Sequence, residues 1–216
     1  MSNSSHVIPT NDFKKILTER RSIKSYDPLV KISREEMTEI FREATRAPSS
    51  TNLQPWHFLV IESDEAKSRL MEIASPTNHV KIETSAVTIA IFGDLHNTLK
   101  ADEIYSANVE LGYMPAEFKE RQLEGILGWI ASLTEQDRRD IVMTDCGHVA
   151  MQLMLVARAH GYDTNPIAGY DKTRINDVYG LGKERYVPVM ILTMGKAADN
   201  GFPTMRLEVD KVAEWK

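Results

Sequence analysis

Cysteine is almost missing from this sequence: Cys146 is the one cysteine among 216 residues. No disulfide can therefore form within the chain, and we expect a reducing compartment. Long apolar runs are missing too, since none approaches the roughly 20 residues of a membrane-spanning helix. The segment from Met1 to Asn11 is polar and has no apolar signal core. Together these features predict a cytoplasmic protein that does not enter the membrane.

The spacings of several well-known motifs are also missing. His148 and His160 are twelve residues apart, and no His-x-x-x-His or paired-cysteine spacing occurs, so we expect no metal site. The segment Gly180-Leu181-Gly182-Lys183 lacks the Walker spacing and the third glycine of a dinucleotide loop, which favours an ordinary turn. No Gly-x-Ser-x-Gly elbow is present.

An excess of positive charge is likewise absent, because the formal net charge is −5. Nucleic-acid-binding domains usually carry a basic face, so we expect no nucleic-acid partner. Hydrophobic residues make up 42% and charged residues 26%, which is typical of a soluble globular protein. The length predicts a single domain over residues 1–216, with residues 1–10 flexible.

Apolar periodicity predicts the main helices and strands. Asn11 is a candidate cap for a short helix, and Ser33 begins a capping-box pattern. The apolar spacing and β-branched runs predict helices at 33–46, 64–74 and 139–160, and strands at 56–61, 86–92 and 186–194. The strand at 86–92 is almost wholly apolar and is expected at the centre of a sheet. The helix at 139–160 is apolar nearly all round, which indicates a central helix or a dimer core.

Two segments fit this outline less simply. Residues 100–132 look helical but are interrupted by glycines and Pro115, which favours a broken helical excursion over a pocket (about 97–132). Residues 196–216 have no good apolar face apart from Leu207 and Val209, which alternate with acidic residues. A short alternating strand needs a partner sheet, so we expect this tail to pair with another subunit.

The residue types that could carry chemistry are concentrated in two segments. Glu19 to Tyr26 offers three cations and two serine hydroxyls, and Ala47 to Phe58 offers hydroxyls, amides and rigid prolines before a strand. Arginine forks bind phosphate oxygens in pairs, and amides both donate and accept. The two segments therefore suggest a pocket for a phosphorylated, planar ligand. A solvated basic patch and a helix-to-strand turn are the simpler interpretations.

Arg-Arg-Ser-Ile-Lys-Ser-Tyr-Asp, followed about 20 residues later by Ala-Pro-Ser-Ser-Thr-Asn-Leu-Gln-Pro-Trp-His-Phe, resembles the FMN-dependent nitroreductase family. The resemblance continues at 163–170 and in the tail around Arg206, and it is weakest at about 97–132. It implies an α+β, three-layer fold in which helices flank a central, mostly antiparallel sheet. It also implies a homodimer with FMN at the interface and a C-terminal tail strand exchanged with the partner.

The resemblance also implies which residues contact FMN. On one subunit these are Arg20, Arg21, Ser22, Lys24, Asn78, Pro166, Ile167, Ala168, Gly169 and Arg206, with Lys196 as an auxiliary contact. The other subunit would supply Pro48, Ser49, Ser50 and Asn52, with Gln54 a weaker candidate. Lys24 would stabilise the charge of the reduced flavin, and a backbone N–H of Ala168 or Gly169 would reach flavin N5. Some relatives have glutamate in place of Ala168 and lysine in place of Thr204.

The implied reaction is a ping-pong oxidation of NADPH or NADH, with a nitroaromatic, quinone or related planar molecule as acceptor. No catalytic side chain is needed, since the flavin carries the hydride. Other enzymes on the same scaffold, such as a flavin-dependent dehalogenase or an azole-forming dehydrogenase, remain alternatives. So do a flavin storage or redox-sensing protein and an unliganded structural protein.

Overall fold

A computed structural model describes residues 9–216. The flexible segment predicted at residues 1–10 lies outside the described residues except for its last two. The helices are α1 (Phe13–Glu19), α2 (Arg34–Ala44), α3 (Asp64–Met71), α4 (His79–Thr84), α5 (Ala101–Glu110), α6 (Ala116–Ser132), α7 (Glu135–Ala159) and α8 (Ile175–Tyr179). The strands are β1 (Trp56–Ile61), β2 (Val87–Asp94), β3 (Asp163–Ile167) and β4 (Tyr186–Gly195).

The four strands form one antiparallel sheet in the order β1-β2-β4-β3. Every residue of β2 is buried, because β2 has strand neighbours on both sides and helices over both faces. The prediction of a central strand at 86–92 is therefore confirmed. The pairing between β2 and β4 shifts register between Ile91 and Phe92, which marks a bulge near the middle of the sheet.

Helices cover the sheet on both faces, which confirms the three-layer α+β arrangement. On one face, α2 and α7 pack on the sheet through residues such as Ile40 and Leu153. On the other face, α3, α4 and α8 contribute Leu70, Ile82 and Ile175. The predicted capping residue Ser33 accepts a hydrogen bond from Glu36 N at 3.1 Å and starts α2.

α7 is the longest helix of the described chain and has 25 residues. Its length and composition would suit a membrane span, but one side packs along the sheet through Cys146, Val149 and Leu153. It is therefore the core helix of the domain. The other side is less covered than predicted, since Met151 is 39% exposed. In a single chain, one apolar side of α7 is thus exposed to solvent.

Several predicted boundaries are wrong for local reasons. Asp12, not Asn11, caps α1, because its side chain accepts from Lys15 N. Residues 79–84 form α4, which the apolar pattern does not predict because the helix is too short to show a clear period. The turn predicted at 180–183 is confirmed, with Gly180 in the left-handed conformation after α8.

The predicted excursion consists of two helices, α5 and α6, which are separated at residues 111–115. Gly112 has a positive φ at this break, whereas Gly125 and Gly128 lie within α6 and do not interrupt it. Leu53 packs against this pair together with Tyr105 and Ile126. The excursion is therefore joined to the segment that precedes β1.

The tail beyond β4 lies exposed along the rest of the molecule. The strand predicted around Leu207–Val209 does not form in the single chain, where residues Val209–Lys211 make a 3-10 turn. The two alternating apolar residues, Leu207 and Val209, have no neighbouring strand among residues 9–216 with which to pair. Six apolar side chains of the tail are exposed, namely Phe202, Met205, Leu207, Val209, Val212 and Trp215, the last by 86%.

Candidate functional site

The segment that contains Arg20, Ser22 and Lys24 lies along the outer edge of β3. Ser22 forms a parallel bridge with Thr164, and Ile23 N donates to Thr164 O at 3.2 Å. The side chain of Asn165 donates to Ile23 O at 2.8 Å. The edge strand thus fixes the segment in an extended form, with Ile23 buried and its two neighbours exposed. Ser22 and Lys24 therefore share the solvent side, as their spacing predicts.

Asp199 holds the far end of this segment and was missed in the sequence. One of its carboxylate oxygens accepts from Ser25 N at 3.0 Å and from Ser25 Oγ at 2.9 Å. The other accepts from Gly201 N at 2.7 Å. Phe202, which follows, lies under the Lys24 ammonium, 4.5 Å from the ring centre. Asp199-Asn200-Gly201 signals a turn, but no sequence pattern relates it to residues 174 positions away.

Asn78 and Gly169 meet at the other end of β3. Asn78 is 7% exposed, and its amide donates to Gly169 O at 3.0 Å, where Ser75 N also donates at 2.9 Å. A Cβ on residue 169 would lie 3.0 Å from Asn78 Nδ2, so glycine permits this close approach. The sequence-predicted residues Asn78, Ala168 and Gly169 are therefore brought together, and Ala168 and Gly169 are exposed.

Pro166 and Ile167 are part of β3 rather than of a loop. Pro166 is exposed, whereas Ile167 packs in the core with Phe92 and Ile191. Only the backbone of Ile167 can therefore face a ligand.

Lys81 is a second lysine of this site that the sequence interpretation missed. It donates to Asn78 Oδ1 at 2.6 Å from one turn further along α4. Partial burial, and then the charge of Lys24, lower the pKa of Lys81. The two ammonium groups are thus close enough to repel each other. The available signal was the Asn-x-x-Lys spacing, which places both side chains on one helical face.

Arginines gather at the beginning of the same segment. The pKa of Arg20 is lowered by partial burial and by the neighbouring charges of Arg206, Arg21 and Arg158. Asp163 offsets part of this repulsion, and it is buried in an ion pair with Arg158. Arg20 and Arg206, which are far apart in sequence, therefore lie close together where positive charge is in excess. Such a cluster favours a phosphate group.

Three other predicted contacts have partners within the chain. Arg21 donates to Thr18 O at 2.8 Å and to Arg20 O at 3.1 Å, so it caps the carboxyl end of α1. Lys196 donates to Gly161 O and lies over the Tyr162 ring, 4.3 Å from its centre. Arg206 bonds to Thr204 Oγ1 at 2.7 Å within the exposed tail.

The second predicted segment, at 48–54, forms a tight turn at the opposite side of the sheet. Ser49 Oγ accepts from Gln54 N at 3.0 Å and closes the turn. Asp145 of α7 accepts from Ser50 N with both carboxylate oxygens, at 3.0 and 3.1 Å. Pro48 and Asn52 are exposed. Pro48 lines an open apolar groove of about 510 Å³ on the exposed side of α7, together with Met151.

The two predicted segments are far apart within one chain. In the sheet register Thr164, beside Ser22, aligns with Met194 and Val87, whereas Trp56 aligns with Gly93. Six residues along β2 span about 20 Å, and the three strand spacings add about 14 Å sideways. The diagonal is about 24 Å, and side chains from the two segments cannot meet across it. The structure thus brings together 20–24, 78, 168–169 and 206, but not 48–54.

The chain is similar to known proteins over most of its length. The profile of the Nitroreductase family matches residues 17–196. "Putative NAD(P)H nitroreductase YdgI" of Bacillus subtilis is 56% identical over 210 residues, covering 97% of this chain and all of that protein. The chain belongs to the nitroreductase family.

Two further proteins resemble the chain over almost its full length. A "putative nitroreductase in complex with FMN" from Exiguobacterium sibiricum has a TM-score of 0.95 and 50% identity, with 97% of this chain and all of that one covered. The "CLA biosynthesis enone reductase" of Lactiplantibacillus plantarum is 35% identical, and 96% of each chain is covered.

Two other groups of this nitroreductase-family chain that could react, Cys146 and His57, are buried or partly buried. Cys146 is fully buried, and burial raises the pKa of its thiol to about 12, so it stays protonated. Burial, followed by the charge of Lys100, lowers the pKa of His57. Within residues 9–216 no group of three or more His, Cys, Asp or Glu side chains could hold a metal ion.

Proposed function

We propose that the chain is an FMN-dependent NAD(P)H oxidoreductase, built as a single domain over residues 1–216 and working as a homodimer. The observation that carries this proposal is the cluster along the outer edge of β3. Exposed Lys24 and half-buried Lys81 lie at one end of a surface whose other end holds Arg20 beside Arg206, and exposed Ser22 lies between the two ends. An enzyme of this kind needs a cationic site for a phosphate and donors for a planar ring, and both are present.

The residues present fit FMN in charge and in shape. Arg20 has its pKa lowered by burial and by three other arginines, so an added phosphate dianion would relieve the repulsion. Gly169 leaves the space beside Asn78 that a side chain would fill. Thr164 Oγ1, next to Ser22, is a buried hydroxyl with no hydrogen-bond partner among residues 9–216. Arg20, Ser22 and Arg206 would hold the phosphate end, with Pro166 and Ile167 contributing backbone alongside.

FMN supplies the acceptance and release of a hydride when it is bound. The chain's own groups then bind and orient. Lys24 and Lys81 place positive charge at the end of the site that Asn78 and Gly169 form. This positive charge would stabilise negative charge that develops on a bound ring. The exposed backbone of Ala168 and Gly169 would donate an N–H toward the reacting edge of that ring. The residues named here do not themselves transfer a proton.

The second half of the site would come from a second copy of the chain. The separation of about 24 Å prevents 48–54 from reaching 20–24 in one chain. The groove on α7 is apolar, open and lined by Pro48, Phe13 and Met151, which suits a subunit interface. If a second subunit covered this groove, Ser49, Ser50 and Asn52 would lie close to that subunit. The exposed apolar side chains of the tail would pack on the same partner, and α5 and α6 would roof its pocket.

Relatives differ in the reaction that their names give. One is named NAD(P)H nitroreductase, another enone reductase and a third, from Thermus thermophilus, NADH dehydrogenase. We propose nitroaromatics, quinones or related planar, electron-poor acceptors, which would occupy in turn the place that NADPH or NADH leaves. Because the nucleotide and the acceptor bind in turn, the protein needs one open binding site above the flavin ring and no separate binding domain.

The purified protein tests this proposal directly. We expect a yellow protein, or a colourless one that becomes yellow with FMN, which bleaches when NADPH or NADH is added without oxygen. Colour should return on addition of a nitroaromatic, a quinone or an enone, and the three rates rank the acceptors. Light scattering at the same concentration should give a dimer. Protein that binds no FMN would refute the proposal, and flavin that neither nucleotide reduces would favour a storage or sensing role.

A further inference from the structure

Backbone strain is concentrated in the turn at 49–54. Within residues 9–216, the non-glycine residues with positive φ are Thr51, Asn52 and Gln54, at 49°, 55° and 46°. This region is disfavoured for residues that carry a Cβ, and it persists only where the surroundings hold it. Ser49 and Gln54 close the turn from within. Two backbone bonds also support it from within, from Asn52 N to Ser49 O at 3.0 Å and from Leu53 N to Ser50 O at 3.1 Å. The N–H of Ser50 and the C=O of Thr51 are instead bonded from outside the turn.

Asp145 provides one of these outside contacts. The side chain is buried in the middle of α7, at 4% exposure, and it receives Ser50 N–H on both oxygens. Within the described chain it has no ion pair, and burial raises its pKa. Burying a carboxylate costs free energy unless hydrogen bonds compensate for its lost hydration. Here the compensating bonds come from Ser50 N, in the backbone of the strained turn.

Tyr105 provides the second contact, from the other side of the turn. It lies in α5, and its hydroxyl donates to Thr51 O at 3.0 Å. Asp145 therefore holds the N–H of Ser50 while Tyr105 holds the C=O of Thr51. The two bonds enclose the Ser50–Thr51 peptide and the strained φ of Thr51. They also join the turn to two different elements, the core helix and the excursion.

We propose that Asp145 and Tyr105 are positioning residues, which together hold Ser50 and Asn52 in the conformation that a flavin on the partner subunit requires. This inference rests on the proposed function. Neither residue contacts the flavin in this scheme. Their effect passes through the backbone of the turn, so loss of either side chain loosens the turn and weakens FMN binding.

Four variants and one matched control test the inference. The variants are Tyr105→Phe, Asp145→Asn, Asp145→Ala and the double variant Tyr105→Phe/Asp145→Ala. The control is Tyr179→Phe, because the Tyr179 hydroxyl also donates to a backbone carbonyl, that of Ala66 at 2.8 Å, away from the turn. Hydrogen exchange of the peptide covering 47–55 is measured in the apoprotein, and FMN affinity by quenching of flavin fluorescence.

We expect Tyr105→Phe to weaken FMN binding about fivefold, the equivalent of one neutral hydrogen bond, and Asp145→Ala about tenfold. The 47–55 peptide should exchange faster in both. Asp145→Asn keeps an acceptor for Ser50 N and should restore most of the affinity. The double variant should lose less than the product of the two single effects, because both act on one turn. Tyr179→Phe should change neither measurement.

The outcomes separate this inference from the proposed function. If the wild-type protein binds no FMN, the proposed function fails and the role toward flavin fails with it. If the wild-type protein binds FMN, but Tyr105→Phe matches Tyr179→Phe in both FMN affinity and exchange at 47–55, only the positioning role is overturned. Tyr105→Phe is a mild change, so this comparison survives even if Asp145→Ala does not fold.

Discussion

Replacing Gly169 by alanine tests the close contact between Gly169 and Asn78. The added Cβ would lie 3.0 Å from Asn78 Nδ2 and 3.6 Å from Ser75 Cβ. The second distance is an ordinary contact, so the clash concerns Asn78 alone. Relieving it moves the amide by about 0.5 Å, which breaks the 3.0 Å bond from Asn78 to Gly169 O.

The size of the effect follows from two opposing contributions. Loss of one neutral hydrogen bond costs about 1 kcal/mol. Gly169 has a φ outside the left-handed region, so alanine also reduces the entropy of the unfolded chain and returns about 0.4–1 kcal/mol. In the wild-type background the change in unfolding free energy should therefore be small. In an Asn78→Ala background the clash is gone, and the same substitution should stabilise.

A double-mutant cycle on the purified protein measures this difference. Unfolding free energies of the wild type, Gly169→Ala, Asn78→Ala and the double variant are determined by urea at one protein concentration. We expect a coupling energy of about 1 kcal/mol between the two positions. Additivity within about 0.3 kcal/mol would refute the reasoning, because the contact would then carry no energy. FMN titration of the same four proteins should show that Gly169→Ala weakens binding only when Asn78 is present.

Three further predictions concern charge and core packing. Asp94 is buried, and although burial pushes its pKa upward, hydrogen bonds from Arg185 hold it below the usual value. Asp94 therefore stabilises the fold above pH about 4, and this stabilisation is lost as the pH falls through the lowered pKa. Asp94→Asn should cost about 2 kcal/mol of unfolding free energy at neutral pH. In urea titrations, the variant should also lose this decrease of stability toward acid pH. Lys24→Gln should raise the pKa of Lys81, followed by NMR of the lysine ε-carbons, and an unchanged titration would contradict their proximity. Leu153→Ala should cost about 3 kcal/mol of unfolding free energy, and a loss below about 1 kcal/mol would mean that the site is not close-packed.

The sequence predicted the sheet and the cationic segment well because both depend on local patterns. The apolar run of β2 requires cover on both faces, and the Ser33 cap requires only its own backbone. Lys81 was missed because α4 is six residues long and has no clear period. The strand around Leu207–Val209 stays a prediction, because its pairing partner would be another subunit and the single chain forms only a 3-10 turn at Val209–Lys211.

By itself, the sequence determined the longer helices, three of the four strands, the absence of an internal disulfide and the concentration of cations at Arg20–Lys24, since these follow from residue type and spacing. The tertiary structure alone decided which distant residues meet. It placed Arg206 beside Arg20, Gly169 beside Asn78, and the 48–54 turn at the opposite corner of the sheet. The physical reason is that strand order and register fix distances between segments, and neither is set by the residues of those segments. Only the folded chain shows that segments 20–24 and 48–54 lie about 24 Å apart, too far for their side chains to meet within one chain.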